Sequence, residues 1–104
     1  GPTPLEYLAL ALGSCIMSIG RIVANQQRIP LRGMRVSVSG ELDLNGLLGK
    51  PTAGRAGFTG FTVAVDVDAD LSREEKLRFL EEVDRRCPVS ENLQHGTPVA
   101  VVLG

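Results

Sequence analysis

Thr3-Pro4-Leu5-Glu6-Tyr7-Leu8-Ala9-Leu10-Ala11-Leu12-Gly13-Ser14-Cys15-Ile16-Met17-Ser18-Ile19-Gly20 decides the fold. Its first four residues are a dense helix-start signal. Thr3 can cap, Pro4 fits the first helical position, and Glu6 falls at the third to close a capping box. Beyond them Leu8, Leu12, Cys15, Ile16, Ile19 and Val23 recur at steps of three and four, while Leu10, Ala11 and Met17 make the opposite face apolar too. A helix apolar nearly all round is a buried one. Pro30 restricts Ile29 and predicts a stop near Arg28. Roughly 25 residues at 1.5 Å each reach about 37 Å, long for so short a chain. Such a helix needs more cover than the remaining residues supply, so a partner is expected.

Past the helix, Met34–Asp43 alternates Val36, Val38 and Leu42 with Ser37, Ser39 and Glu41. Phe58–Asp68 alternates Phe61, Val63, Val65 and Val67 with Thr62, Ala64, Asp66 and Asp68. This period of two predicts an antiparallel pair of strands with one wet face. Leu44–Gly57, rich in Gly and carrying Pro51, reads as a loop. Ser72-Arg73-Glu74-Glu75 is a second capping box, opening a helix with Leu77, Leu80 and Val83 inward that reaches Cys87-Pro88. A short helical turn, Pro88 to Gln94, stops at Gly96. Thr97–Leu103, with Val99, Val101 and Val102, reads as a last strand. The order α-β-β-α-α-β makes a single mixed α+β domain over residues 1–104.

Composition narrows the function classes. The 104 residues carry 11 Lys and Arg against 12 Asp and Glu, a net charge of −1, and four aromatics: Tyr7, Phe58, Phe61 and Phe79. A near-neutral chain with few stacking rings is poorly suited to nucleic acid. The longest charge-free stretch, Tyr7 to Gly20, falls short of the ~20 residues that cross a bilayer, so no membrane role is expected. Leu12-Gly13-Ser14-Cys15 superficially resembles a lipoprotein cleavage box, but no Lys or Arg precedes it, and a cytoplasmic protein is expected. The chain opens on Gly1 rather than Met, as a fragment or processed product would.

Several motifs fail on chemistry. Asp66-Val67-Asp68-Ala69-Asp70 opens like a calcium loop, yet Leu71 and Leu77 stand where Gly and Glu are required. Gly46-Leu47-Leu48-Gly49-Lys50 lacks the first Gly and the final Ser or Thr of a phosphate loop. Arg21, Arg28, Arg32 and Arg35 read as a solvated helix end rather than an anion patch. His95 has no partner pattern of a catalytic base. Neither cysteine has a second Cys or His at zinc-ligand spacing.

Cys15 and Cys87 therefore carry the question, as two inert thiols, one reactive thiol or a redox pair. Free Cys most often behaves as a small hydrophobe. Cys87-Pro88-Val89-Ser90 places one thiol at the start of a helical turn, where backbone N–H groups favour the thiolate. Cys15 lies among small residues, Gly13, Ser14 and Ser18, that permit close approach. By local chemistry Cys87 is the better nucleophile.

Gly1-Pro2-Thr3-Pro4-Leu5-Glu6-Tyr7-Leu8 through Gly13-Ser14-Cys15, then Cys87-Pro88-Val89-Ser90-Glu91-Asn92-Leu93 and Gly96-Thr97-Pro98-Val99, resemble the OsmC/Ohr family of osmotically inducible and organic hydroperoxide resistance proteins. The resemblance covers nearly the whole chain. It implies an intertwined α+β homodimer built on long buried central helices, with further N-terminal strands upstream of Gly1. It also implies a thiol-dependent hydroperoxide reductase of the oxidative stress response. Cys15 would be the peroxidatic cysteine and Cys87 the resolving one, reversing the local ranking. The family's activating Arg would lie upstream of Gly1. Its acidic partner directly follows the Pro, where this chain has Leu5; Glu6, one residue later and a turn of ~100° around the helix, is the candidate for that catalytic role. No metal, flavin or haem is implied. The reductant would be an external thiol such as a protein-borne dihydrolipoyl group. The competing reading is a non-catalytic dimeric module, small-molecule-binding or structural, with inert thiols.

Overall fold

In the computed structural model, which describes residues 3–104, helix α1 runs over Pro4–Gln26 and organises everything else. Gly1 and Pro2, the start of the quoted motif, lie outside the described residues. The capping box forms as the sequence predicts. Thr3 Oγ1 accepts from the Glu6 N–H and the Glu6 carboxylate accepts from the Thr3 N–H, both at 3.2 Å. The helix ends two residues before Arg28, through a Schellman closure. The Ile29 N–H bonds to the Ala24 carbonyl (2.8 Å) and the Arg28 N–H to that of Asn25 (3.3 Å), with Arg28 left-handed at φ 56°. That conformation costs a non-glycine residue about 1 kcal/mol or more. Arg28→Gly is therefore expected to stabilise the protein by about 1 kcal/mol, read as a higher denaturation midpoint. A lower midpoint would mean that the Arg28 side chain matters more than its backbone.

Strands β1 (Gly33–Leu42) and β2 (Phe58–Asp68) pair antiparallel. Met34 faces Val67, Val36 faces Val65 and Val38 faces Val63 on the inner side, while Arg35 and Asp66 face each other on the wet side. Gly40 lies opposite Phe61, and a Cβ there would stand 2.9 Å from the rings of both Phe58 and Phe61. Its absence lets those rings meet at 4.4 Å over β1. The segment between the strands is more ordered than a plain loop. Asp43 leaves β1 to cap a short helix α2 (Leu44–Leu47), accepting from the Asn45 N–H and from Thr52 Oγ1 at 2.6 Å.

Helix α3 (Arg73–Arg86) starts at the Ser72 capping box. It buries Phe79 and Val83 against Leu12, Ile16, Val23 and Val67, the centre of the core. Leu77, expected inward, is 48% exposed, because Phe79 takes the central position. Helix α4 (Pro88–His95) follows at once and ends on Gly96, at φ 68°.

Two expectations are corrected. Thr97–Leu103 forms no strand; Val101 is 93% and Leu103 100% exposed. A strand needs a neighbour for its N–H and C=O groups, and the two-stranded sheet does not supply one here. Nor is α1 buried all round within the chain. Leu12, Ile16, Gly20, Val23 and Ala24 are covered, whereas Tyr7, Leu10 and Ile22 are exposed. By length and composition α1 would also pass for a membrane span. Its covered face instead forms the core with α3 and the sheet. The radius of gyration, 16.5 Å, exceeds the ~13 Å usual for this length, as expected of a chain with an open face and a loose end.

Candidate functional site

The geometry of α1 and α4 brings the two cysteines together. Cys15 occupies the middle of α1 at the edge of the covered face, beside buried Ile16, and is half-buried. Ala11, Ser18 and Ile22, at steps of four, three and seven from it, line the same side of the helix and are exposed. Cys87 is at once the C-cap of α3 and the N-cap of α4. Pro88 forces the residue before it into an extended conformation, and Cys87 has φ −77° and ψ 113°. That single non-helical residue turns the thiol inward to complete burial, where it meets the thiol of Cys15. Both cysteines are free.

Electrostatics at Cys87 run against the helix-start argument. Burial pushes its thiol up from the ordinary value, and the adjoining Cys15 thiol pushes it further. The Ser90 and Val89 N–H groups favour the thiolate but do not prevail, and Cys87 makes no side-chain cap bond to α4. A helix start activates a thiol that water can reach; one sealed in a core pays the desolvation cost first.

Glu6 is not brought to this pair. Its carboxylate is engaged in the Thr3 cap. Nine helical residues separate it from Cys15, about 13 Å along the axis and about 180° around it. His95 stays on the exposed side of α4, paired with Glu91.

One polar cluster beside the cysteines was not singled out from the sequence. Ser90 is the only buried residue of α4, at 5% exposure. Its hydroxyl donates to the carboxylate of Asp84 on α3 and accepts from the Gln94 amide at 2.7 Å; that amide also reaches Asp84 at 3.3 Å. The signal was present as Ser90 and Gln94 four residues apart on one helical face, six and ten residues after Asp84. These three residues form one wall of a cavity of about 330 Å³ whose other walls are apolar, among them Ile16, Phe61, Val63 and Val83. A second cleft of about 360 Å³, between α1 and β1 and lined by Leu10, Gly13, Met17 and Val38, opens on the side of α1 away from Cys15.

Set beside known proteins, the chain matches the family of OsmC-like proteins over residues 1–102. No curated protein sequence gives a significant match. Among solved structures it is similar to an OsmC-like protein of Mycoplasma pneumoniae, with 25% identity and a TM-score of 0.82 over 92% of this chain and 64% of that one. An organic hydroperoxide resistance protein OsmC of Legionella pneumophila follows at 21% identity and TM-score 0.74, covering 91% of this chain and 64% of the other. The organic hydroperoxide resistance protein OhrB of Bacillus subtilis stands at 23% and 0.65, covering 92% and 65%. The last two likenesses bear on the fold alone. The chain spans just under two thirds of the length of these three proteins.

Proposed function

The chain belongs to the OsmC-like protein family, and from that premise we propose that it reduces organic or inorganic hydroperoxides with the Cys15–Cys87 pair in a peroxide stress response. The observation that supports this reading is the meeting of the two thiols, carried by separate elements. Solved relatives described as organic hydroperoxide resistance proteins share the fold.

In the proposed cycle the Cys15 thiolate attacks the distal peroxide oxygen. The O–O bond breaks, the sulfur gives up two electrons, and the leaving oxygen takes a proton to depart as an alcohol or water, leaving Cys15 as a sulfenic acid. The Cys87 thiolate then attacks that sulfur, the S–O bond breaks, and water leaves as the disulfide closes. An external dithiol, of the dihydrolipoyl class, exchanges with the disulfide and is itself oxidised to a disulfide while both cysteines return to thiols. A homodimer completes the site in this reading, because exposed Ala11, Ser18 and Ile22 beside Cys15 need a cover.

One equivalent of an organic hydroperoxide should remove both free thiols of each chain, with a mass loss of about 2 Da for the internal disulfide. Unchanged thiols after exposure to excess hydroperoxide would sink the reading and leave the dimeric module with inert cysteines.

The raised pKa of Cys87 gives a further expectation. At neutral pH its thiolate fraction is below that of an exposed cysteine, so disulfide closure should accelerate about tenfold per pH unit across roughly pH 6 to 8. A flat closure rate over that window, followed by rapid mixing after a fixed pulse of hydroperoxide, would show that Cys87 deprotonation does not limit the step.

A further inference from the structure

Cys87 is the single residue between two helices, so the direction of its thiol depends on how α4 is held against α3. Little holds α4. It has eight residues, its N-cap makes no side-chain bond, and Val89 is its one apolar side chain packed against the core. The one residue it buries is polar. Ser90 sits at 5% exposure with its hydroxyl bonded to Asp84, in the last turn of α3, and to Gln94, one turn further along α4. A buried hydroxyl with both roles satisfied is a fixed point, since each bond lost there leaves a desolvated group unpaired.

We infer that Ser90, clamped between Asp84 and Gln94, is a positioning residue that aims Cys87 at Cys15. The clamp spans the hinge on either side of the cysteine and contributes no group to the chemistry. The inference rests on the proposed redox pairing of the two thiols. The step it serves is the condensation of the Cys15 sulfenic acid with the Cys87 thiol. An S–S bond forms, the S–O and S–H bonds break, one water leaves, and no outside oxidant or reductant takes part. A displacement of the attacking atom by about 1 Å is enough to slow such a step by up to ~100-fold. A sulfenic acid left waiting is then oxidised by a second hydroperoxide to the sulfinic stage.

The test compares wild type with Ser90→Ala, Ser90→Thr and Asp84→Asn. Sulfenic acid formation at Cys15 should keep its wild-type rate in all of them. Disulfide closure should slow by about tenfold or more in Ser90→Ala, with a matching rise in the sulfinic fraction by intact mass, and Ser90→Thr, which keeps the hydroxyl, should recover most of it. Equal closure rates in Ser90→Ala and wild type, or an equal fall in both steps as general loosening would give, would overturn the inference. A glutathione titration of the Cys15–Cys87 disulfide provides a readout independent of peroxide. Ser90→Ala should need about a tenfold higher ratio of oxidised to squared reduced glutathione to reach half closure. If wild type closes the disulfide under glutathione yet ignores hydroperoxide, the peroxidase reading fails while the clamp is still measured. An unshifted titration overturns the clamp alone.

Discussion

Cys15→Ser is expected to abolish hydroperoxide consumption, by at least about a thousandfold, because in the proposed cycle the first sulfenic acid forms on Cys15. Cys87→Ser should instead consume about one equivalent and stop, carrying roughly +16 Da and, with excess peroxide, +32 Da on Cys15. The asymmetry follows from access. Cys87 has no exposed surface and its thiol is held protonated by burial, so a hydroperoxide neither reaches it nor meets a thiolate. Cys15 is half-buried at the margin of an open helix face, where a hydroperoxide can approach it. Ser at position 87 buries a hydroxyl in an apolar setting at a cost of about 1–3 kcal/mol, so Cys87→Ala serves as a companion that separates lost chemistry from lost stability. If the adducts appear on Cys15→Ser rather than on the Cys87 variants, the roles are exchanged and the helix-start argument prevails over burial.

The second large effect concerns assembly. The protein is expected to sediment as a homodimer at micromolar concentration, with about twice the 11.1 kDa mass of the chain and an interface above ~2,000 Å². The basis is the uncovered apolar side of α1 next to Cys15, where Leu8 and Ile22, each seven residues from it, are exposed. Ile22→Asp places a charge on that side of the helix and should weaken association by about 100-fold or more. Peroxide turnover should then depend on protein concentration, because the same side of the helix carries Cys15. A monodisperse wild-type monomer would remove both expectations together.

The helix starts were the most legible features. Thr3 and Ser72 each announce a capping box whose two bonds involve only residues within three positions, so no tertiary information is required. The two long strands were equally plain, because one dry face and one wet face impose a strict alternation. What escaped was tertiary. Phe79 displaces Leu77 from the core although both fit the helical period, and only the position of Val67 and Val83 decides between them. Thr97–Leu103 has the composition of a strand, but composition does not supply a neighbour to pair with. At the site, both cysteines were visible and their meeting was implied by resemblance. The burial of Cys87 was not legible from its helix-start position, because it depends on residues far away in the chain. The Ser90 clamp joins two helices across a proline, a relation that spacing alone hardly suggests.

The exposed run after α4 has a consequence for the protein's solubility. Val99-Ala100-Val101-Val102-Leu103 is uncharged, aliphatic and open to solvent. Short segments of that kind, with high β-propensity and no charge, are the material from which cross-β deposits nucleate. A newly made chain therefore exposes a segment that another copy can capture strand to strand. Solubility then depends on how far this run is kept from other chains, and a charged residue within it would lower the hazard.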